Sequence, residues 1–229
     1  MTLDPTRRRE EIQERVARAA ARVGRSPDDV RVIAVTKGVE VERIAEAIHA
    51  GVTDIGESRV QEARAKRARL DGDVAWHLLG HLQTNKAGQA ADCFDVIHSI
   101  DSARVAATVA AARDPDAVPL EALVEVELGD VETRTGVRPA DAEAVVRGCA
   151  GLSGIHLVGL MTIAPRGGSE IAKVAFRQLR ELRDHLERVT SCPLPELSMG
   201  MSNDFEIAVE EGATMVRLGR ALFGDRPAP

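Results

Sequence analysis

The sequence predicts an α/β fold, a single (β/α)8 barrel of the TIM type with one extra helix at its N-terminus. Three observations carry that prediction. Short apolar, β-branched runs alternate with amphipathic helical stretches about eight times, the pattern of a parallel sheet covered by helices. The 229 residues suit that many units in one closed barrel better than an open doubly wound sheet. No internal repeat or low-complexity linker divides the chain, so residues 1–229 read as one domain.

The first helix opens at Asp4-Pro5, an N-cap followed by a first-turn proline. Ile12, Val16, Ala19 and Val23 line one face of it before Gly24. Ser26 to Asp29 then leads into VRVIAVTKG, Val30 to Gly38, whose apolar run reads as a strand buried on both faces. A helix carrying Val41, Ile44, Ala45 and Ile48 follows, closed by Gly51. Thr53 to Glu57 is the second strand, Arg59 to Leu70 a charged helix, and Ala75 to Leu79 the third strand. A helix near Thr84 to Ala91 precedes the strand Phe94 to Ile100 and the alanine-rich helix Ala103 to Arg113. Leu120 to Leu128 is the fifth strand, followed by a long loop and the helix Ala140 to Ala150. Ile155 to Ile163 is the sixth, and Ala175, Leu179, Leu182, Leu186 and Val189 mark a long helix after it. Leu194 to Met199 and Thr214 to Leu218 complete the strands around the helix Asp204 to Glu210.

Composition narrows the function. Hydrophobic residues make up 44% of the chain and aromatics only 2%, so the core must be aliphatic. The net charge of −6 argues against a nucleic-acid binder, whose affinity would rest on clustered Lys and Arg. Cys93, Cys149 and Cys192 lie far apart with no CxxC spacing, which gives neither a disulfide framework nor a zinc site and fits reduced cytoplasmic thiols. The start of the chain is charged and amphipathic rather than a signal peptide, and no run approaches the roughly 20 apolar residues that span a bilayer. The expectation is a soluble cytoplasmic protein without membrane or nucleic-acid partners. No long apolar helix face is left over, which points to a monomer.

The chemistry gathers at strand ends. Lys37 closes the first strand, where partial desolvation favours a neutral amine able to condense with an aldehyde. A lysine leaving the sheet for water is the plainer alternative. In a barrel of this type the active face lies at the carboxyl ends of the strands, and phosphate commonly binds in the loops after strands seven and eight. Those loops read SMGMSND, with Gly200 and Ser202, and RLGRALFG, with Gly219 between Arg217 and Arg220. Free N–H groups at a helix start beside a serine hydroxyl form an anion site, although such glycines also serve plain turns and such a serine a plain cap. A Schiff-base lysine opposite a phosphate cradle describes pyridoxal 5′-phosphate, or else a lysine-dependent aldolase acting on a sugar phosphate. His77 and His81 in WHLLGH lack a third ligand at metal spacing, so no metal is expected. His98 reads as a hydrogen-bonded strand-end residue, and Lys86 as solvated or as a secondary cofactor contact.

The motifs AVTKG, GESRVQEA, WHLLGHLQTNKA, IHSIDS, GLMTIAP and LSMGMSNDFEIAVEEGATMVRLGRALFG occur in that order between Val30 and Gly224. Together they resemble the pyridoxal phosphate homeostasis protein family, of the alanine-racemase-like barrel class. The resemblance implies that Lys37 forms the Schiff base and that Ser202, Gly219 and Arg220 bind the phosphate. It places Arg217 facing the pyridine nitrogen, and His77 and Ser58 near the cofactor. A guanidinium at that nitrogen keeps it unprotonated, which weakens the ring as an electron sink.

Three positions depart from the family pattern. Ser58 replaces a usual Asn, Arg134 a common Lys, and Glu127 a frequent Asn. A carboxylate at Glu127 either repels an anionic ligand or pairs with Arg134. The implied role is to hold and deliver the cofactor to pyridoxal-phosphate-dependent apoenzymes, balancing vitamin B6 and amino-acid pools without substantial catalysis. The rival is an amino-acid racemase, which needs an acid or base on each face of the substrate carbon. Racemases of this barrel class use a tyrosine from a second domain. This chain contains no Tyr, and it ends a few residues after the last barrel helix.

Overall fold

The computed structural model describes residues 4–129 and 135–224; Arg134 therefore lies outside the described residues. The expected barrel forms. Strands β1 (Arg31–Val35), β2 (Asp54–Glu57), β3 (Ala75–Leu78), β4 (Val96–Ile100), β5 (Leu120–Glu125), β6 (Ile155–Met161), β7 (Glu196–Met201) and β8 (Met215–Leu218) close in chain order, every neighbour parallel. The outer layer comprises α1 (Pro5–Arg22), α2 (Val41–His49), α3 (Val60–Arg67), α4 (Ala87–Cys93), α5 (Ala103–Ala112), α6 (Ala142–Cys149), α7 (Ser169–Thr190), α8 (Phe205–Glu210) and α9 (Arg220–Phe223).

The extra helix α1 starts where the sequence predicts, with the Asp4 carboxylate accepting from the Thr6 N–H. It buries Ile12, Val16, Ala19 and Ala20 against the barrel's outer layer. Arg15 and Arg22 tie it to Glu206 and Glu210 of α8. The main apolar core lies between strands and helices and is aliphatic, apart from Trp76 and four Phe. A separate cluster of Val96, Leu123, Val158 and Met161 fills part of the barrel interior. No described helix is long and apolar enough to cross a membrane.

Two strands differ from the sequence reading in ways that bear on the site. Strand β5 stops at Glu125, short of the expected Leu128. Val126 continues only as an isolated bridge to Val137, and the Glu127 carboxylate bends back to accept from the Gly129 N–H at 2.7 Å. The carboxylate that ends the strand is therefore Glu125. Strand β7 runs two residues later than expected, so Gly200 lies inside a strand rather than at a helix start. Its φ is 93°, and a Cβ there would come within 2.5 Å of the Ala208 Cβ. Only glycine fits that bend.

Candidate functional site

Lys37 stands half-buried just beyond β1, and the residues on either side of it are clamped from below. The Lys66 ammonium, buried on α3, donates to the Thr36 carbonyl, to Glu57 Oε1 and to Glu62 Oε1, each at 2.7 Å. The Thr36 hydroxyl donates to Glu57 Oε1 at 2.5 Å, and the Gly38 N–H donates to Glu62 Oε1 at 2.8 Å. Gly38 takes a φ of 69°, which turns the chain sharply after Lys37. The backbone is fixed on both sides of Lys37 while its side chain is left to the mouth. Burial raises the Glu57 pKa, opposed by the Lys66 and Thr36 hydrogen bonds. Burial also acts to raise Glu62, but the Gly38 N–H and Lys66 outweigh it and the carboxyl is held low.

Lys37 opens into a cavity of 230 Å³ at the carboxyl ends of the strands, which Gly38, Glu40, Arg43, Gly219 and Arg220 also line. Among the described residues its lining thus includes three cationic residues and one acidic one, with Arg43 donating to the Phe223 carbonyl at 2.7 Å. The Ser202 hydroxyl accepts from the Ala221 N–H at 3.2 Å, stapling the loop after β7 to the turn after β8. The N–H groups of Gly219 and Arg220 have no acceptor among the described residues. Unpaired donors, cationic side chains and a lysine amine form a donor set that fits a phosphorylated aldehyde.

Arg217 sits apart from that cavity, inside the barrel. Its guanidinium donates to Ser198 Oγ and to the Thr162 carbonyl, both at 2.7 Å. Burial pulls its pKa down to about 10 against the attraction of Glu125 and Asp204, so it stays charged at neutral pH. Ser198 in turn meets His98 Nδ1 at 2.8 Å, His98 Nε2 meets His77 Nδ1 at 2.9 Å, and His77 Nε2 meets Asp54 Oδ1 at 3.0 Å. Burial, with the charges of His77, Arg217 and Arg31, holds the His98 pKa well below its ordinary value.

The structure therefore brings Lys37, Gly219 and Arg220 together around one cavity and links Ser202 to them. His77 is fully buried in the interior chain rather than on the cavity wall. Ser58 is half-buried beyond β2, its carbonyl packed where a Cβ on Gly80 would collide with it. His98 lies within β4 and is hydrogen-bonded at both ring nitrogens; His81 pairs with Asp101 at 3.3 Å. The sequence reading missed Arg43, Glu125 and the Lys66–Glu57–Glu62 clamp. Arg43 and Lys66 look like ordinary polar helix positions, and only the closure of the barrel turns them toward the site. Burial raises the Glu125 pKa, and its Oε2 has no hydrogen-bond partner among the described residues.

Known proteins place this geometry. The family model for the alanine racemase N-terminal domain matches residues 8–227. The pyridoxal phosphate homeostasis protein of Aquifex aeolicus is 40% identical over 217 residues, covering 94% of this chain and 95% of that protein. The chain belongs to the pyridoxal phosphate homeostasis protein family. The Escherichia coli K12 family member is 35% identical over 228 residues, with 94% of each chain covered. Relatives in this family are named as homeostasis proteins rather than enzymes. PipY of Synechococcus elongatus PCC7942, solved with PLP bound, superposes with a TM-score of 0.82 at 39% identity, over 93% of this chain and all of PipY. An alanine racemase from Clostridium difficile 630 shares the fold at 15% identity and a TM-score of 0.73, with 56% of its length covered.

Proposed function

We propose that this protein holds pyridoxal 5′-phosphate as a Schiff base on Lys37 and supplies it to apoenzymes, as part of intracellular vitamin B6 and amino-acid homeostasis. One observation carries the reading: Lys37, Gly219 and Arg220 line one cavity, and the N–H groups of the last two have no acceptor among the described residues. The Lys37 amine would hold the aldehyde carbon, and the Gly219 and Arg220 N–H groups, the Ser202 hydroxyl and the Arg220 side chain would hold the phosphate. The names of the relatives and the PLP-bound state of PipY support the same cofactor.

When bound, the cofactor supplies a ring able to take up electron density. The residues of this chain temper that capacity. Arg217, charged and held by two hydrogen bonds, would face the ring nitrogen with a remaining donor and oppose its protonation. The chain has no tyrosine to serve as an opposite-face base. On this reading the protein is a carrier without substantial turnover, cytoplasmic and monomeric. Spectral titration with pyridoxal 5′-phosphate and with pyridoxal tests the cradle: the phosphorylated form binds far more tightly, and equal affinity would refute the reading. Incubation of loaded protein with L-alanine in deuterated water tests the carrier role. Slow α-proton exchange at most is expected, whereas turnover of about 1 per second or faster, lost in Lys37→Ala, would make it an enzyme.

A further inference from the structure

The interior chain from Arg217 to Asp54 crosses the barrel from one mouth toward the other. Arg217 is on β8, Ser198 on β7, His98 on β4, His77 on β3, and Asp54 opens β2 at the amino end. Asp54 and Arg31 border a second cavity of 620 Å³, which α1 also lines.

With both histidines neutral, the Asp54 end fixes the direction of the chain. A guanidinium only donates and an ionised carboxylate only accepts. Arg217 donates to one lone pair of Ser198, which leaves the serine proton able to go to His98 Nδ1. A neutral His98 then carries its proton on Nε2 and donates to His77 Nδ1. His77 in turn carries its proton on Nε2 and donates to Asp54 Oδ1. Each middle member accepts once and donates once, and both tautomers are specified. The groups facing the chain agree with this. Glu125 and Asp204 attract Arg217, while His98 faces His77, Arg217 and Arg31 and stays neutral. Burial acts to raise the Asp54 pKa, but hydrogen bonds from His77 and Thr53 and the charge of Arg31 hold it low, and the carboxylate stays ionised.

Four polar residues in a barrel interior are not what stability alone selects, since apolar side chains of similar volume serve at least as well. We propose that Ser198, His98, His77 and Asp54 are positioning residues that hold the guanidinium plane of Arg217 against the ring nitrogen of the bound cofactor. This rests on the pyridoxal phosphate reading. Cutting the chain frees Arg217 to swing, and the ring nitrogen then competes for a proton.

Two measurements test it. Long-range 1H–15N spectra of cofactor-free, histidine-labelled protein at pH 8 should show both His77 and His98 as Nε2–H tautomers; a proton on Nδ1 of either would overturn the chain. For the positioning role, the bound chromophore is titrated with pH in wild type, Ser198→Ala and Ser198→Thr. Ser198→Ala should lower the midpoint of the imine nitrogen, because a ring nitrogen that takes up a proton disfavours a second positive charge, and should weaken cofactor binding about tenfold, with Ser198→Thr restoring both. If Ser198→Ala does not fold, Asp54→Ala, which removes the terminal acceptor remote from the cofactor cavity, should move the midpoint the same way. An unchanged midpoint in a folded variant would overturn the positioning role. If wild-type protein takes up no cofactor on Lys37, the functional reading falls and the positioning role with it, while the tautomer spectra still report on the chain.

Discussion

The mouth of the barrel and the polar layer beneath it treat hydrogen bonds in opposite ways. At the mouth, the N–H groups of Gly219 and Arg220 lack acceptors among the described residues, and Lys37 lines an open cavity. Beneath it, Lys66 makes three hydrogen bonds, both histidine rings in the Arg217 chain are paired at each nitrogen, and Arg217 makes two. The difference is physical. Unpaired donors next to solvent cost little, because water satisfies them until a ligand does. Unpaired polar groups in the interior cost their full desolvation, so that layer is paired and rigid. Groups left spare are available to a ligand, and groups fully used are holding something in place. Glu57 Oε2 and Glu125 Oε2 are the interior exceptions among the described residues, and both carboxyls have raised pKa values from burial.

The sharpest break in this contrast comes from the paired layer. Lys66→Met leaves Glu57 buried without its cation and should cost about 3–5 kcal/mol of stability by denaturant unfolding. A loss under 1 kcal/mol, an estimate typical of exposed pairs, would mean the clamp is not paired as described. At the mouth, Ser202→Ala should weaken pyridoxal 5′-phosphate binding by about 1–3 kcal/mol in a spectral titration, with little change in melting temperature. A large stability loss instead would make Ser202 structural. The smallest effect is in pH. The depressed pKa of His98 means its contribution to stability is full above the ordinary histidine value of about 6.5 and is lost as pH falls below it. Unfolding free energy should drop by about 1–2 kcal/mol between about pH 7 and pH 5, and His98→Gln should flatten that slope.

The contrast also explains what could be read from the chain alone. Barrel strands alternate with helices in plain apolar patterns, so their order was legible, and Lys37 was visible as a cation ending an apolar run. The mouth glycines were visible too, because a glycine after a strand is a local signal. The paired layer was not. Asp54, His77, His98, Ser198 and Arg217 sit on five strands and meet only when β7 and β8 close against β1. Glu125 was overlooked because Val126 and Leu128 prolong the strand pattern beyond the point where the backbone leaves the sheet. Local patterns report elements; a cross-barrel hydrogen-bond chain has no local pattern.

Of the four lysines in the chain, Lys37 alone lines the cavity at the barrel mouth. Lys66 is held by three acceptors, and Lys86 and Lys173 lie away from the cavity. The direct measurement is borohydride reduction of the protein loaded with pyridoxal 5′-phosphate, followed by proteolysis and mass mapping of the modified residue. The reduced adduct should fall on Lys37, and Lys37→Ala should lose the visible absorption band while melting as the wild type does. An adduct on Lys66, Lys86 or Lys173, or a band that survives Lys37→Ala, would contradict the Schiff base on Lys37.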